Sequence, residues 1–249
     1  MVLLHGLTAT RRYVVMGSRV LERSGLRAIA YDARGHGASS PAPGEYGYER
    51  LVDDLRSVLD ELQIESAVLA GASMGAHTAL AFALAHASRV AALCVITPAY
   101  DSDVADTGRS LERWDALAAG LRTGGVEGFV RAYDLATVPE RWRHTAETVL
   151  RQRLSAHEHP EAVADALEAV PRSRPFARFS DLGAITAPAI VVGSRDEADA
   201  GHPLALARRY AAALPRARLV VEDEGRSPLA WQGGALSRLI VELAATVAA

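Results

Sequence analysis

The 249-residue chain contains no lysine and no asparagine; every one of its 27 Lys+Arg positions is arginine. The first absence excludes Schiff-base chemistry, a lysine-anchored pyridoxal phosphate and a P-loop lysine. The second excludes N-glycosylation. There is one cysteine, so neither an intramolecular disulfide nor a cysteine-based zinc site can form; Cys94, in the apolar run AALCVIT, reads as a small buried hydrophobe. No apolar run approaches the roughly 18 residues of a membrane span. The opening MVLLHGL lacks the basic region and the length of a signal peptide, so the expectation is a cytoplasmic chain with no membrane partner. A charge excess is also missing: the net charge is −3 and arginines are interspersed with acids, which leaves no basic face for nucleic acid.

What is present is the material of one globular domain, with 49% hydrophobic and 23% charged residues. Short apolar runs that end in glycine or a small residue alternate with longer helical patterns. The runs predict strands at 2–4, 27–32, 66–71, 91–97, 188–193 and 217–223. Three- and four-residue apolar spacing predicts helices over about 10–24, 48–62, 74–87, 203–213 and 232–247. Such alternation is the pattern of an α/β fold with a doubly wound, mostly parallel sheet. It stops after Tyr100 and resumes at Pro188. The stretch between reads as helices punctuated by prolines, and it predicts a helical cap at 101–180 inserted into a core formed by 1–100 and 181–249, above the carboxyl ends of the strands, where open α/β sheets bind ligands.

The chemistry concentrates in GASMGAH. Gly71-Ala72-Ser73-Met74-Gly75 is a G-x-S-x-G lying between an apolar strand and an alanine-rich helix. A sharp strand-to-helix turn needs a glycine on each side and exposes the serine hydroxyl at the top of the sheet. Ser73 is therefore the candidate nucleophile.

With the segments LLHGLTAT and YDARGHGAS ahead of it, in that order, the sequence resembles the α/β-hydrolase superfamily over nearly its whole length. The resemblance implies an oxyanion hole from the backbone N–H groups near Leu7 and of Met74, and an acid after the next-to-last strand. There VVGSRDEADAGHP offers Asp196, with Asp199 as second choice. His5 and His36, in the two motif loops, read as turn-holding residues, with His5 also a candidate for substrate contact. Asp32 and Arg34 read as a loop-bracing pair. The family usually begins with a pair of strands that this chain does not present before its H-G strand; either those N-terminal strands are missing or the start is internal.

One residue departs from the pattern. The family's base follows the last strand in a G-H-x-P-type segment, which aligns with Gly225-Arg226-Ser227-Pro228. A guanidinium has no acceptor atom and cannot take a serine proton. Arg226 in that seat is expected to pair with Asp196 and to contribute to stability. His202, six residues beyond Asp196, is the candidate for a displaced base, alone or paired with Asp199; its other reading is a plain histidine at a helix start. His77, one turn past Ser73, reads as packed, and the His157/His159 run HEHPE as solvated. No metal or cofactor is expected. Trp114, Phe129, Tyr133 and Trp142 in the insertion are candidates for an apolar wall, and Trp114, Trp142 and Arg226 for substrate binding.

Two functions follow. One is a serine hydrolase of a small ester, thioester or related acyl substrate, using Ser73, Asp196 and His202. The alternative is a non-catalytic protein that kept the pocket for a small, anionic ligand held by Arg226. A homodimer is left open.

Overall fold

The computed structural model of the chain describes residues 1–104, 108–195 and 201–247, with only the backbone at 108–110. Among the described residues six strands form one sheet: β1 (Val2–Leu4), β2 (Ile29–Ala30), β3 (Ala67–Ala72), β4 (Val90–Ile96), β5 (Ala189–Gly193) and β6 (Ala217–Val221). Their spatial order is β2-β1-β3-β4-β5-β6, and every neighbouring pair is parallel. Both faces of such a sheet must be covered, and the side-chain period of two assigns each residue to one of them. Leu69, Leu93, Val95 and Val191 join one apolar cluster with Leu80 and Phe82 of the central helix. Val68, Ala70, Ala92, Cys94, Ile96 and Val192 join the other, with Leu236 and Ile240 of the last helix. Each fully buried Leu, Val or Ile contributes on the order of 1.5–3 kcal/mol. Cys94 is buried, and burial pushes its thiol pKa up, as suits an inert small hydrophobe.

The helices are α1 (Val20–Arg23), α2 (Tyr48–Glu61), α3 (Met74–Ala85), α4 (Gly108–Ala132, kinked at Gly125), α5 (Glu140–Leu154), α6 (Pro160–Ala169), α7 (Leu204–Ala213) and α8 (Gly233–Ala245). The helix expected over 10–24 is broken. A 3-10 turn at Arg11–Tyr13 is followed by Met16 and Gly17 with φ of 49° and 72°, before the single turn of α1. This bend accommodates α8, whose Gly233 packs against the Val15 carbonyl so closely that a Cβ there would lie 2.2 Å from its oxygen. Strand β2 is also shorter than its apolar run, because it is an edge strand and β1 offers it a ladder only at Val2 and Leu3.

Helices α4, α5 and α6 lie between β4 and β5 in the chain. Leu117, Phe129, Leu150, Val163 and Leu167 of this insertion share one apolar cluster with Leu7 and Met74, which follow the carboxyl ends of β1 and β3. The insertion thus packs as a helical cap on the loops at that end of the sheet. Among the described residues no helix is long and apolar enough to cross a membrane.

Candidate active site

Ser73 stands between β3 and α3 with φ 50° and ψ −113°, a sparsely populated region for a residue with a Cβ and the mark of a strained elbow. Its N–H donates to the Ile96 carbonyl. The two motif glycines are required by contact: a Cβ on Gly71 would lie 2.2 Å from the Gly75 carbonyl oxygen, and one on Gly75 would lie 2.2 Å from that of Leu4. A Cβ on Gly6 would stand in ordinary contact, 3.5 Å from the Ser73 Cβ. The loop after β1 therefore runs directly beside the nucleophile position. Leu7 and Met74 are both buried there. Among the described residues, neither of their backbone N–H groups has a hydrogen-bond partner. Two free amides beside a serine hydroxyl can receive a developing negative charge on a carbonyl oxygen.

His202 lies just before α7, and its Nε2 is 3.0 Å from Ser73 Oγ. With Nε2 unprotonated the serine hydroxyl donates to it, which is the contact a general base needs. Asp196 and Asp199, the candidate acids, lie outside the described residues. Arg226 does not join this group. Its side chain is exposed, it sits on a turn closed by its own N–H to the Asp223 carbonyl, and it takes part in no ion pair among the described residues.

The other histidines near the motif loops are bound to backbone. His5 is 2% exposed; its Nε2 accepts from the Ala33 N–H and its Nδ1 donates to the Gly6 carbonyl. Both nitrogens are thereby engaged by loops, and burial holds its pKa down to about 3; it braces the H-G loop, with no ring nitrogen left for a substrate. His36 places its nitrogens 2.7 Å from the Leu7 carbonyl oxygen and 2.9 Å from that of Arg34, two acceptors for the one proton of a ring that burial pushes toward neutrality. Asp32 and Arg34 do brace loops, but not as a pair. Buried Asp32 accepts from the Arg11 N–H and meets the Arg11 guanidinium, whereas Arg34 grips Asp54 through two 2.7 Å bonds.

His157, expected in solvent, is instead a cap anchor. Its Nδ1 accepts from the Gly37 N–H at 2.8 Å, while the Glu158 N–H donates to the Gly37 carbonyl. Burial and the neighbouring His36 hold its pKa down to about 4. This clasp fastens the α5–α6 connection to the loop after β2. Trp114 packs against the cap's apolar cluster. Phe129 is fully buried there with Tyr133 stacked on it. Trp142 of α5 meets Trp231 edge to face at 5.9 Å, bringing the cap against the segment that follows Arg226. Among the described residues no three His, Cys, Asp or Glu side chains are grouped to hold a metal.

His77 is packed, as its position one turn past Ser73 suggests, but it is also a polar hub. Its Nδ1 is 2.9 Å from the Tyr48 hydroxyl, and its Nε2 accepts from the N–H groups of Ala99 and Tyr100 at 3.0 and 3.1 Å. Sequence reasoning could not find these partners, since Tyr48 begins α2, Ala99 and Tyr100 follow β4, and no motif links them.

A family model described as alpha/beta hydrolase fold matches residues 1–231. Two curated relatives carry the name 2-hydroxy-6-oxononadienedioate/2-hydroxy-6-oxononatrienedioate hydrolase. The one from Cupriavidus pinatubonensis is 29% identical over 89% of this chain and 77% of its own. The one from Pseudomonas putida is 30% identical over 88% of this chain and 78% of its own. Among solved structures, a thermophilic esterase from Thermogutta terrifontis superposes with a TM-score of 0.81 at 29% identity, covering 99% of this chain and 89% of that one.

Proposed function

The chain belongs to the α/β-hydrolase fold family, and from that premise we propose that it is a serine hydrolase of a small ester, thioester or related acyl substrate, in which His202 replaces the histidine that ordinarily follows the last strand. The observation that carries this reading is the 3.0 Å contact of His202 Nε2 with Ser73 Oγ.

In the first half-reaction His202 takes the Ser73 proton as Oγ attacks the acyl carbon. The amides of Leu7 and Met74 hold the oxyanion of the tetrahedral intermediate. The intermediate collapses with loss of the alcohol or thiol, which receives the proton back from His202. Water then gives a proton to His202 as it attacks the acyl-serine, and the second intermediate collapses to release the acid while His202 returns that proton to Ser73 Oγ. The motif assigns the part of the acid to Asp196, or Asp199, and an acid in that part stabilises the charged form of the imidazole. The relatives named above act, by their names, on carbon-chain oxo acids; an acyl group carried by a small organic acid is the matching substrate class here.

The test is labelling with a fluorophosphonate, which reacts with an activated serine, together with turnover of an activated ester. Labelling is expected in the parent and lost in Ser73→Ala and His202→Ala, with kcat/KM down by about 10³-fold or more in both. A parent that neither labels nor turns over any ester or thioester would overturn the reading. The alternative of an anionic ligand held by Arg226 has no comparable support, since that side chain is exposed on a turn.

A further inference from the structure

A base supplied from the start of α7 can be no better placed than α7 itself, and the contacts of that helix lead back to the helix carrying Ser73. Tyr210 of α7 is fully buried, donates its hydroxyl to the Tyr100 carbonyl at 2.7 Å and stacks on the His77 ring at 6.4 Å. The adjacent Arg209 reaches Asp101 and Asp103 at 2.5 and 2.6 Å. Both sets of contacts end on one loop, residues 97–103, which follows β4. That loop is in turn held by His77, whose Nε2 takes the N–H groups of Ala99 and Tyr100. Two donors on one nitrogen leave it no proton, so the ring is neutral and its Nδ1–H points to the Tyr48 hydroxyl. Burial, with His202 nearby, keeps the pKa of His77 down at about 3. His77 belongs to α3, its own N–H bonded to the Ser73 carbonyl at 3.0 Å.

We propose that His77 is a positioning residue for the displaced base: by fixing the loop 97–103 to α3, it sets the seat of α7 and hence the distance from His202 to Ser73. This rests on His202 acting as base, as argued above. The chain of contacts is short and continuous: Ser73, one helical turn to His77, the backbone of Ala99 and Tyr100, the hydroxyl and ring of Tyr210, and back along α7 to His202. Reacting groups tolerate little error, since about 1 Å of misplacement costs on the order of a hundredfold in rate.

Three variants of the full chain test this on an activated ester, with melting temperature measured alongside. His77→Leu removes the acceptor, His77→Gln offers an amide oxygen that can take both N–H groups, and Tyr210→Phe deletes only the hydroxyl that holds Tyr100. The expected result is a kcat about a hundredfold lower in His77→Leu with KM within about twofold, recovery of most of it in His77→Gln, and an intermediate loss in Tyr210→Phe. Ile240→Val, in the opposite apolar cluster, supplies a variant of lowered stability whose kcat should equal the parent's. If Tyr210→Phe and a folded His77→Leu keep the parent's kcat while His202→Ala loses it, the positioning role is wrong and the base assignment stands. If His202→Ala keeps full activity, the base assignment itself has failed. Should His77→Leu not fold, parental kcat in both His77→Gln and Tyr210→Phe would be read against an α7 seat that needs the Tyr210 hydroxyl, and would overturn the proposal.

Discussion

Gly75 lies so close to Leu4 that a Cβ on it would stand 2.2 Å from the Leu4 carbonyl oxygen. The last residue of β1 crosses the first turn of α3 at that point, and this crossing brings the H-G loop, with Leu7, alongside Ser73. Gly75→Ala cannot be absorbed by a side-chain rotation, because the obstacle is backbone. It is expected to destabilise the fold by about 1–3 kcal/mol or more and to lower kcat by widening the gap between the Leu7 amide and the serine. Urea unfolding and ester turnover check both; a Gly75→Ala protein equal to the parent in both would disprove the close crossing.

The elbow strain at Ser73 gives a second expectation. A non-glycine residue at φ 50°, ψ −113° stores on the order of 1–3 kcal/mol. Ser73→Ala and Ser73→Gly both abolish the hydroxyl, but only glycine relieves the backbone. After about 0.5–1 kcal/mol for its extra freedom in the unfolded chain, Ser73→Gly should be more stable than Ser73→Ala by about 1 kcal/mol. Equal melting temperatures would mean the turn is not strained.

Acid stability follows from three histidines kept neutral. His5 and His77 have pKa values near 3 and His157 near 4, burial being the main cause in each, whereas the unfolded chain titrates near 6.5. Below about pH 6.5 the unfolded state therefore binds more protons than the fold, and stability drops as pH falls. Their contribution is complete above that value and is lost down to about pH 3–4, with a slope of up to about 1.4 kcal/mol per pH unit for each fully buried ring and less for the partly exposed His157. Denaturant titrations at pH 7, 6 and 5, above the carboxylate range, should reveal the slope. A flat profile there would contradict the neutral, buried assignments.

How much of this was legible beforehand depends on how local each signal is. The strands, the elbow and the cap helices are written in short windows of apolar period and small residues, and all six strands fall inside or within one residue of their runs. Ser73, Leu7 and Met74 fall together because two motif loops meet at the top of a parallel sheet. Tertiary demands decided the rest. The helix expected over 10–24 yields to the approach of α8 at Val15. His157 leaves solvent because the loop after β2 offers it the Gly37 N–H, 120 residues away in the chain. The two acids best placed by the motif, Asp196 and Asp199, lie outside the described residues. The Arg226 position fits the family's usual order, in which the base follows the last strand, and that order says nothing of a histidine on the preceding loop.

The departure at Arg226 leads to the sharpest expectation. Were its guanidinium a buried partner of the acid, its removal would cost about 3–5 kcal/mol. Its side chain is exposed on a turn beyond β6 and makes no ion pair among the described residues, so Arg226→Ala should change stability by less than about 0.5 kcal/mol. The same placement bears on Arg226→His. An imidazole introduced there would meet a serine whose hydroxyl is already engaged by His202 at 3.0 Å, so turnover should stay at the parent's level. In a His202→Ala background the hydroxyl is released, yet the introduced ring starts from an exposed turn, and activity should stay at the level of His202→Ala alone. Measuring kcat/KM for the two single variants and the double variant separates the cases. A gain in Arg226→His over the parent would show that the usual seat still governs the serine and that His202 is a bystander, whereas parental activity in Arg226→His together with its collapse in both proteins lacking His202 is the pattern that a relocated base requires.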